Sequence, residues 1–167
     1  MKFVRLLVVL SAAVLSAAVA LPAEPEYPKM GPDIYDTQAD GAALVADAIA
    51  QAKATHKRIL LDLGANWCIW CRRLKTAFET DPAIKLALAD HFVLVFVDVN
   101  HRDNKSRNDV LNRYYENPVK EGLPVIVVLE QDGRQLTTQE TGALENHKDG
   151  YDQKIIMTFL TKWTPKK

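Results

Sequence analysis

Residues 59–78, Ile-Leu-Leu-Asp-Leu-Gly-Ala-Asn-Trp-Cys-Ile-Trp-Cys-Arg-Arg-Leu-Lys-Thr-Ala-Phe, join an apolar run to an amphipathic one, and the chain's only two cysteines, Cys68 and Cys71, fall at the junction. Ile59 to Leu63 reads as a buried strand. Arg72 to Phe78 reads as a helix with Leu74 and Phe78 on one face. Cys68 is thereby placed at a helix N-terminus, where unpaired N–H groups and the positive end of the helix dipole favour thiolate over thiol. Cys71 follows three positions on, within reach of a mixed disulfide formed at Cys68. The spacing points to redox chemistry, with Cys68 as nucleophile and Cys71 as the resolving thiol.

Two other readings of a CxxC pair are weaker. A zinc site needs two more ligands, and His56, His91, His101 and His147 form no second pair with zinc-ligand spacing. A structural disulfide across so short a loop is a poor staple, because the loop-closure entropy it removes is small. Asp62, inside the apolar strand, is expected to be desolvated and to hold its proton tightly, which suits it to exchange protons with Cys71 through water. Trp67 and Trp70 flank the thiols and offer an apolar platform for a partner, with Trp70 expected to be the more exposed. Arg72 and Arg73 read as a solvated helix face.

The segment Asp62-Leu63-Gly64-Ala65-Asn66-Trp67-Cys68, followed much later by Gly122-Leu123-Pro124-Val125 and by Thr141-Gly142-Ala143-Leu144, resembles the thioredoxin family. The resemblance covers about residues 34–163. Within the family it is strongest to periplasmic thioredoxin-like proteins and to the C-terminal domain of the transmembrane disulfide-reductant transporter. It implies that Asp62 is the buried acid six positions before the first cysteine, and that Pro124 is a cis-proline facing the pair. It further implies that the Leu123 backbone binds an extended substrate segment. Gly142 matches the glycine near the end of the last strand. Two departures stand out. Ile69-Trp70 replaces the Gly-Pro of cytosolic thioredoxins, and the lysine that pairs with the buried acid in many members falls near Phe96. Direction of electron flow is therefore not inherited, and proton handling around Asp62 is expected to differ.

Met1 to Ala20 carries Lys2 and Arg5 before the apolar stretch Leu6 to Val19 and ends in Ala18-Val19-Ala20, the layout of a cleavable secretory signal. The mature protein is expected to start near Leu21, to be soluble, and to reside in the periplasm, where a CxxC pair stays oxidised unless electrons are supplied. Residues 21–33, rich in proline, read as a flexible tether, and 34–167 as one thioredoxin-like domain. With 21 basic and 21 acidic residues, nothing suggests nucleic acid.

Beyond the cysteines, Ile34 to Asp36 reads as a short edge strand and Asp40 to Lys53 as a helix. Asp81 and Pro82 read as the N-cap and first residue of another helix. Phe92 to Val99 reads as a central strand, and the charged run His101 to Asn108 as a surface loop. Val110, Leu111, Tyr114 and Tyr115 mark one helix face. Val125 to Glu130 and Gln135 to Thr141 form a hairpin, and Tyr151 to Trp163 a final helix. This order predicts an α/β thioredoxin fold, a central mixed sheet with helices on both faces. The expected activity is protein thiol–disulfide exchange in the reductase direction, on protein disulfide substrates, with a membrane-bound or periplasmic redox partner, as a monomer, without metal or cofactor. A thioredoxin-fold binding or chaperone module without redox turnover is the alternative. Metal or haem handling has the least support, since no further ligand set is visible.

Overall fold

Strand side chains alternate between two faces, and in the computed structural model the strand β1 (Arg58–Gly64) buries both. Residues 31–102 and 104–166 are described; the expected signal and residues 21–30 of the tether lie outside them. β1 pairs in parallel with β2 (Phe92–Asp98) and antiparallel with β3 (Val125–Leu129), which pairs antiparallel with β4 (Gln135–Glu140). The sheet order is β2-β1-β3-β4.

On one face Ile59, Leu61 and Leu63 join Val125, Val127 and Leu129 beneath α1 (Gly41–Thr55), with Leu111 and Tyr115 closing the cluster. On the other face Leu60, Ile126 and Val128 meet three helices, α2 (Ile69–Thr80), α3 (Pro82–His91) and, after the short α4 (Asp109–Tyr114), the C-terminal α5 (Gln153–Lys162). Asp62 shares this second face with Leu60 and Gly64, by strand alternation. The helices begin where their caps dictate. The side chains of Asp40, Asp81 and Asp152 each accept two backbone N–H groups of the first turn, and Pro82 occupies the position where a missing N–H costs nothing.

Several sequence expectations change. Phe92–Asp98 is an edge strand of the described sheet, not a central one. Its apolar character comes from cover by α1 on one face and by Tyr35 against Phe96 on the other. Ile34 to Asp36 forms no strand. The backbone there is satisfied by a side chain instead: Ile34 N and Tyr35 N donate to Asn66 Oδ1 at 2.8 and 3.0 Å, and Asn66 Nδ2 donates to the Tyr35 carbonyl at 2.9 Å. Of the expected apolar face on α4 only Leu111 turns inward, followed by Tyr115 just beyond the helix, whereas Val110 and Tyr114 are each 74% exposed. Gly142 lies in a single-turn 3-10 helix, Thr141–Leu144, just past β4. The loop after β2 is tied down more than a solvated loop would be. Asn108 Nδ2 donates to the Asp98 carbonyl at 2.9 Å, and Asn108 Oδ1 accepts from Gly41 N at 2.8 Å.

Candidate active site

α2 starts at the end of a turn that follows β1, and Cys68 is its N-cap. Cys68 and Cys71 are joined as a disulfide in this oxidised state. Cys68 Sγ accepts from Cys71 N at 3.1 Å and lies 3.6 Å from the carbonyl oxygen of Leu123. Cys71 is fully buried, while Cys68 keeps a small exposed edge. Of the two cysteines only Cys68 is open to solvent. The N-terminal amides of a twelve-residue helix favour a thiolate over a thiol at that position.

Leu123 and Pro124 precede β3, and the peptide bond between them is cis. The Pro124 carbonyl accepts from Thr141 Oγ1 at 2.6 Å, and Tyr151 Oη lies 3.4 Å from the same hydroxyl. Tyr151 in turn meets the Trp70 indole edge-on, ring centroids 5.8 Å apart. Trp70, Tyr151, Thr141 and Pro124 thus form one braced wall beside the disulfide.

Trp70 is half-buried in that wall, contrary to its expected exposure, and Ile69 is the exposed member of the dipeptide at 43%. The helical turn explains this: Ile69 opens the helix toward solvent, while Trp70 is rotated onto the α5 side. Arg73 stacks over Trp70 at 4.6 Å from its centroid. Trp67 donates from Nε1 to Asn100 Oδ1 at 2.8 Å and is covered by the Arg102 guanidinium, 3.3 Å from the ring centroid. Arg72 is not a solvated residue either. Its guanidinium donates to the carbonyls of Pro32 (2.7 Å) and Asn66 (2.9 Å), fastening residues 31–36 across the site.

Asp62 is 0% exposed, opposite Phe96 in the β1–β2 register. Burial pushes its carboxyl from 3.8 up to about 7, and a hydrogen bond from Tyr35 pulls the other way. Tyr35 Oη donates to Asp62 Oδ1 at 2.8 Å; among the described residues Oδ2 has no partner. The phenol is fully buried, and burial with the neighbouring carboxylate raises its own pKa well above 10.0. Tyr35 packs with Cys68 and Cys71 in one cluster and sets its ring edge-on to Phe96 at 5.8 Å. Gly64 makes that possible, since a β-carbon there would stand 2.5 Å from Tyr35 Cζ and 2.8 Å from Cys71 Sγ. Sequence reasoning singled out Asp62, Cys68, Cys71, Leu123 and Pro124, which the structure brings together, and missed Tyr35, Asn66, Thr141 and Tyr151. The signal available for Tyr35 was a lone aromatic in a segment read as an edge strand.

A thioredoxin-like family profile matches residues 42–131, more than half of the chain. The chain belongs to the thioredoxin-like family. It aligns with the crystal structure of a disulphide isomerase from Xylella fastidiosa Temecula1 at 35% identity and a TM-score of 0.68, over 78% of this chain and 96% of that one. The thiol:disulfide interchange protein DsbD of Actinobacillus pleuropneumoniae is 33% identical over 90 residues, 53% of this chain. The disulfide bond reductase DsbH of Chlamydia pneumoniae is 29% identical over 97 residues. This chain spans 14% of that DsbD and 57% of that DsbH.

Proposed function

We propose that this protein is an exported thiol–disulfide oxidoreductase that reduces protein disulfides. The observation that carries the reading is the pair itself: Cys68, the accessible N-cap of α2, is backed by fully buried Cys71. In the dithiol form the Cys68 thiolate attacks a substrate disulfide, forming a mixed disulfide and releasing one substrate thiolate. Cys71 then gives up its proton, attacks Cys68 Sγ and expels the second thiolate, which takes a proton from solvent. The substrate gains two electrons and the enzyme keeps the disulfide. Asp62 is the acceptor for the Cys71 proton, since a carboxyl near 7 is matched to operate at neutral pH.

An extended substrate segment lies along the Leu123 backbone beside Cys68, with Pro124 held by Thr141 and with Trp67, Ile69 and Trp70 forming the apolar rim. The Met1–Ala20 pattern supports export, and with it a periplasmic location in which residues 21–33 act as a tether. Among the described residues no helix is long and apolar enough to cross a membrane. The periplasm is oxidising, so turnover requires a membrane-bound or periplasmic electron donor. The reductase direction is supported by the resemblance to DsbD and to DsbH, a disulfide bond reductase.

The test is insulin disulfide reduction by the reduced protein, comparing wild type with Cys68→Ser. Loss of reduction supports the mechanism; intact reduction overturns it. The reduction potential decides direction, a value near about −270 mV marking a reductase and one near about −120 mV an oxidant. A Cys68→Ser/Cys71→Ser protein that keeps full function in the cell places the chain among binding modules instead.

A further inference from the structure

Water was the expected link between Asp62 and Cys71; the Tyr35 phenol donates to the first and packs beside the second. Residues 31–36 form a strap whose ends are fixed independently of any sheet: Arg72 holds the carbonyl of Pro32, and Asn66 makes three hydrogen bonds to the backbone of Ile34 and Tyr35. The strap drives Tyr35 into the space above Gly64, where its ring and Cys71 Sγ crowd the same missing β-carbon. Asp62 lies two residues earlier on the same strand face, and the Tyr35 hydroxyl donates to its Oδ1. Phe96, at the position directly opposite Asp62, carries no charge to pair with it.

We propose that Tyr35 is the proton bridge of this site, its hydroxyl connecting Cys71 to the Asp62 carboxylate and keeping that carboxylate charged and oriented to accept the thiol proton. The inference rests on the thiol–disulfide reading above. When Cys71 attacks Cys68 Sγ, the Cys71 proton passes to the phenol oxygen as the phenol proton passes to Asp62 Oδ1. Tyr35 ends the step neutral, Asp62 ends it protonated, and the electron pair leaves on the substrate sulfur. The phenol's strong hold on its proton suits this concerted exchange, because Tyr35 is never required to exist as a phenolate. The other titratable groups facing this space are Asp98 from β2, itself 3.4 Å from Arg107, and Tyr151 ahead of α5. β3 contributes only aliphatic side chains. Tyr35 is thus a positioning residue for a reaction carried out by the two cysteines.

The experiment uses the reduced full chain and the aromatic disulfide 5,5′-dithiobis(2-nitrobenzoate) in a stopped-flow instrument. The first chromophore is released when Cys68 attacks, and the second when Cys71 resolves the adduct. The rate of the second phase is followed from about pH 5 to about pH 9 in wild type, Tyr35→Phe and Asp62→Asn. Tyr35→Phe keeps the ring against Phe96 and removes the hydroxyl. A hydrogen bond to a charged acceptor is lost, so the midpoint of the profile is expected to move up by about one pH unit, slowing the second phase at pH 7 about fivefold. Loss of the bridge also lowers the rate at every pH, as a packing defect does, but a packing defect alone leaves the midpoint in place. A Tyr35→Phe midpoint equal to that of wild type, with Asp62→Asn abolishing the midpoint, overturns the Tyr35 proposal and leaves the role of Asp62 standing. An Asp62→Asn profile identical to wild type overturns both. Failure of the oxidoreductase reading itself appears separately, as insulin reduction that survives Cys68→Ser.

Discussion

Replacing Asp62 by asparagine should stabilise the oxidised protein in a strongly pH-dependent way. The carboxyl rises from 3.8 to about 7 on folding because burial outweighs the Tyr35 hydrogen bond. At about 1.4 kcal/mol per pH unit, that difference amounts to about 4 kcal/mol. Below about pH 3 Asp62 is protonated folded or unfolded, and its titration subtracts nothing. As the pH climbs from 3.8 to about 7, the unfolded chain releases the proton while the native state retains it, so stability falls. Above about 7 the full 4 kcal/mol or so is gone. Burial of Leu60, Leu61 and Leu63 on the same strand, at about 1.5–3 kcal/mol each, is large enough to carry that cost. Asp62→Asn has no proton to lose. Its amide places a donor where protonated Asp62 places its hydroxyl, so the two proteins should be nearly equal at about pH 4 and differ by about 4 kcal/mol at about pH 8, the variant being more stable. In urea, followed by tryptophan fluorescence, the gap corresponds to a midpoint shift of about 2 M at the higher pH. An equal gap at the two pH values would falsify the assignment of Asp62 as a carboxyl whose titration burial pushes up to about 7.

Asn66→Ala removes all three hydrogen bonds that hold Ile34 and Tyr35, and is expected to cost about 2–3 kcal/mol and to expose residues 31–36 to proteolysis, read by urea titration and by mass mapping of a brief protease digest. Thr141→Val strips the buried Pro124 carbonyl of its 2.6 Å donor; we expect a loss of about 1–3 kcal/mol and slower insulin reduction, whereas unchanged values for both would mean that Thr141 does not brace the proline.

How much of the site was legible varies residue by residue. Cys68, Cys71 and Asp62 lie within ten positions of one another on a strand and the helix that follows it, and local periodicity places all three. Pro124 came through the family resemblance. Tyr35 did not come at all, since its hydrogen bond to Asp62 spans 27 positions and its segment has no regular structure to announce it. The same applies to Arg102 on Trp67 and to Tyr151 on Trp70, contacts between elements far apart in the chain.

The sequence by itself determined the elements whose causes are local: the strand running into the CxxC helix, the Asp81-Pro82 helix start, the hairpin around Gly133 and the amphipathic final helix. Each rests on a period, a cap or a turn that neighbouring residues specify together. Only the tertiary structure decided that β2 is an edge, that Ile69 is exposed while Trp70 is half-buried, and that a tyrosine held by Asn66, in a segment that forms no strand, donates to the buried acid. Those outcomes depend on which side chains meet across the sheet and on which polar groups find partners once water is excluded, and burial and pairing of that kind exist only after the distant segments have come together.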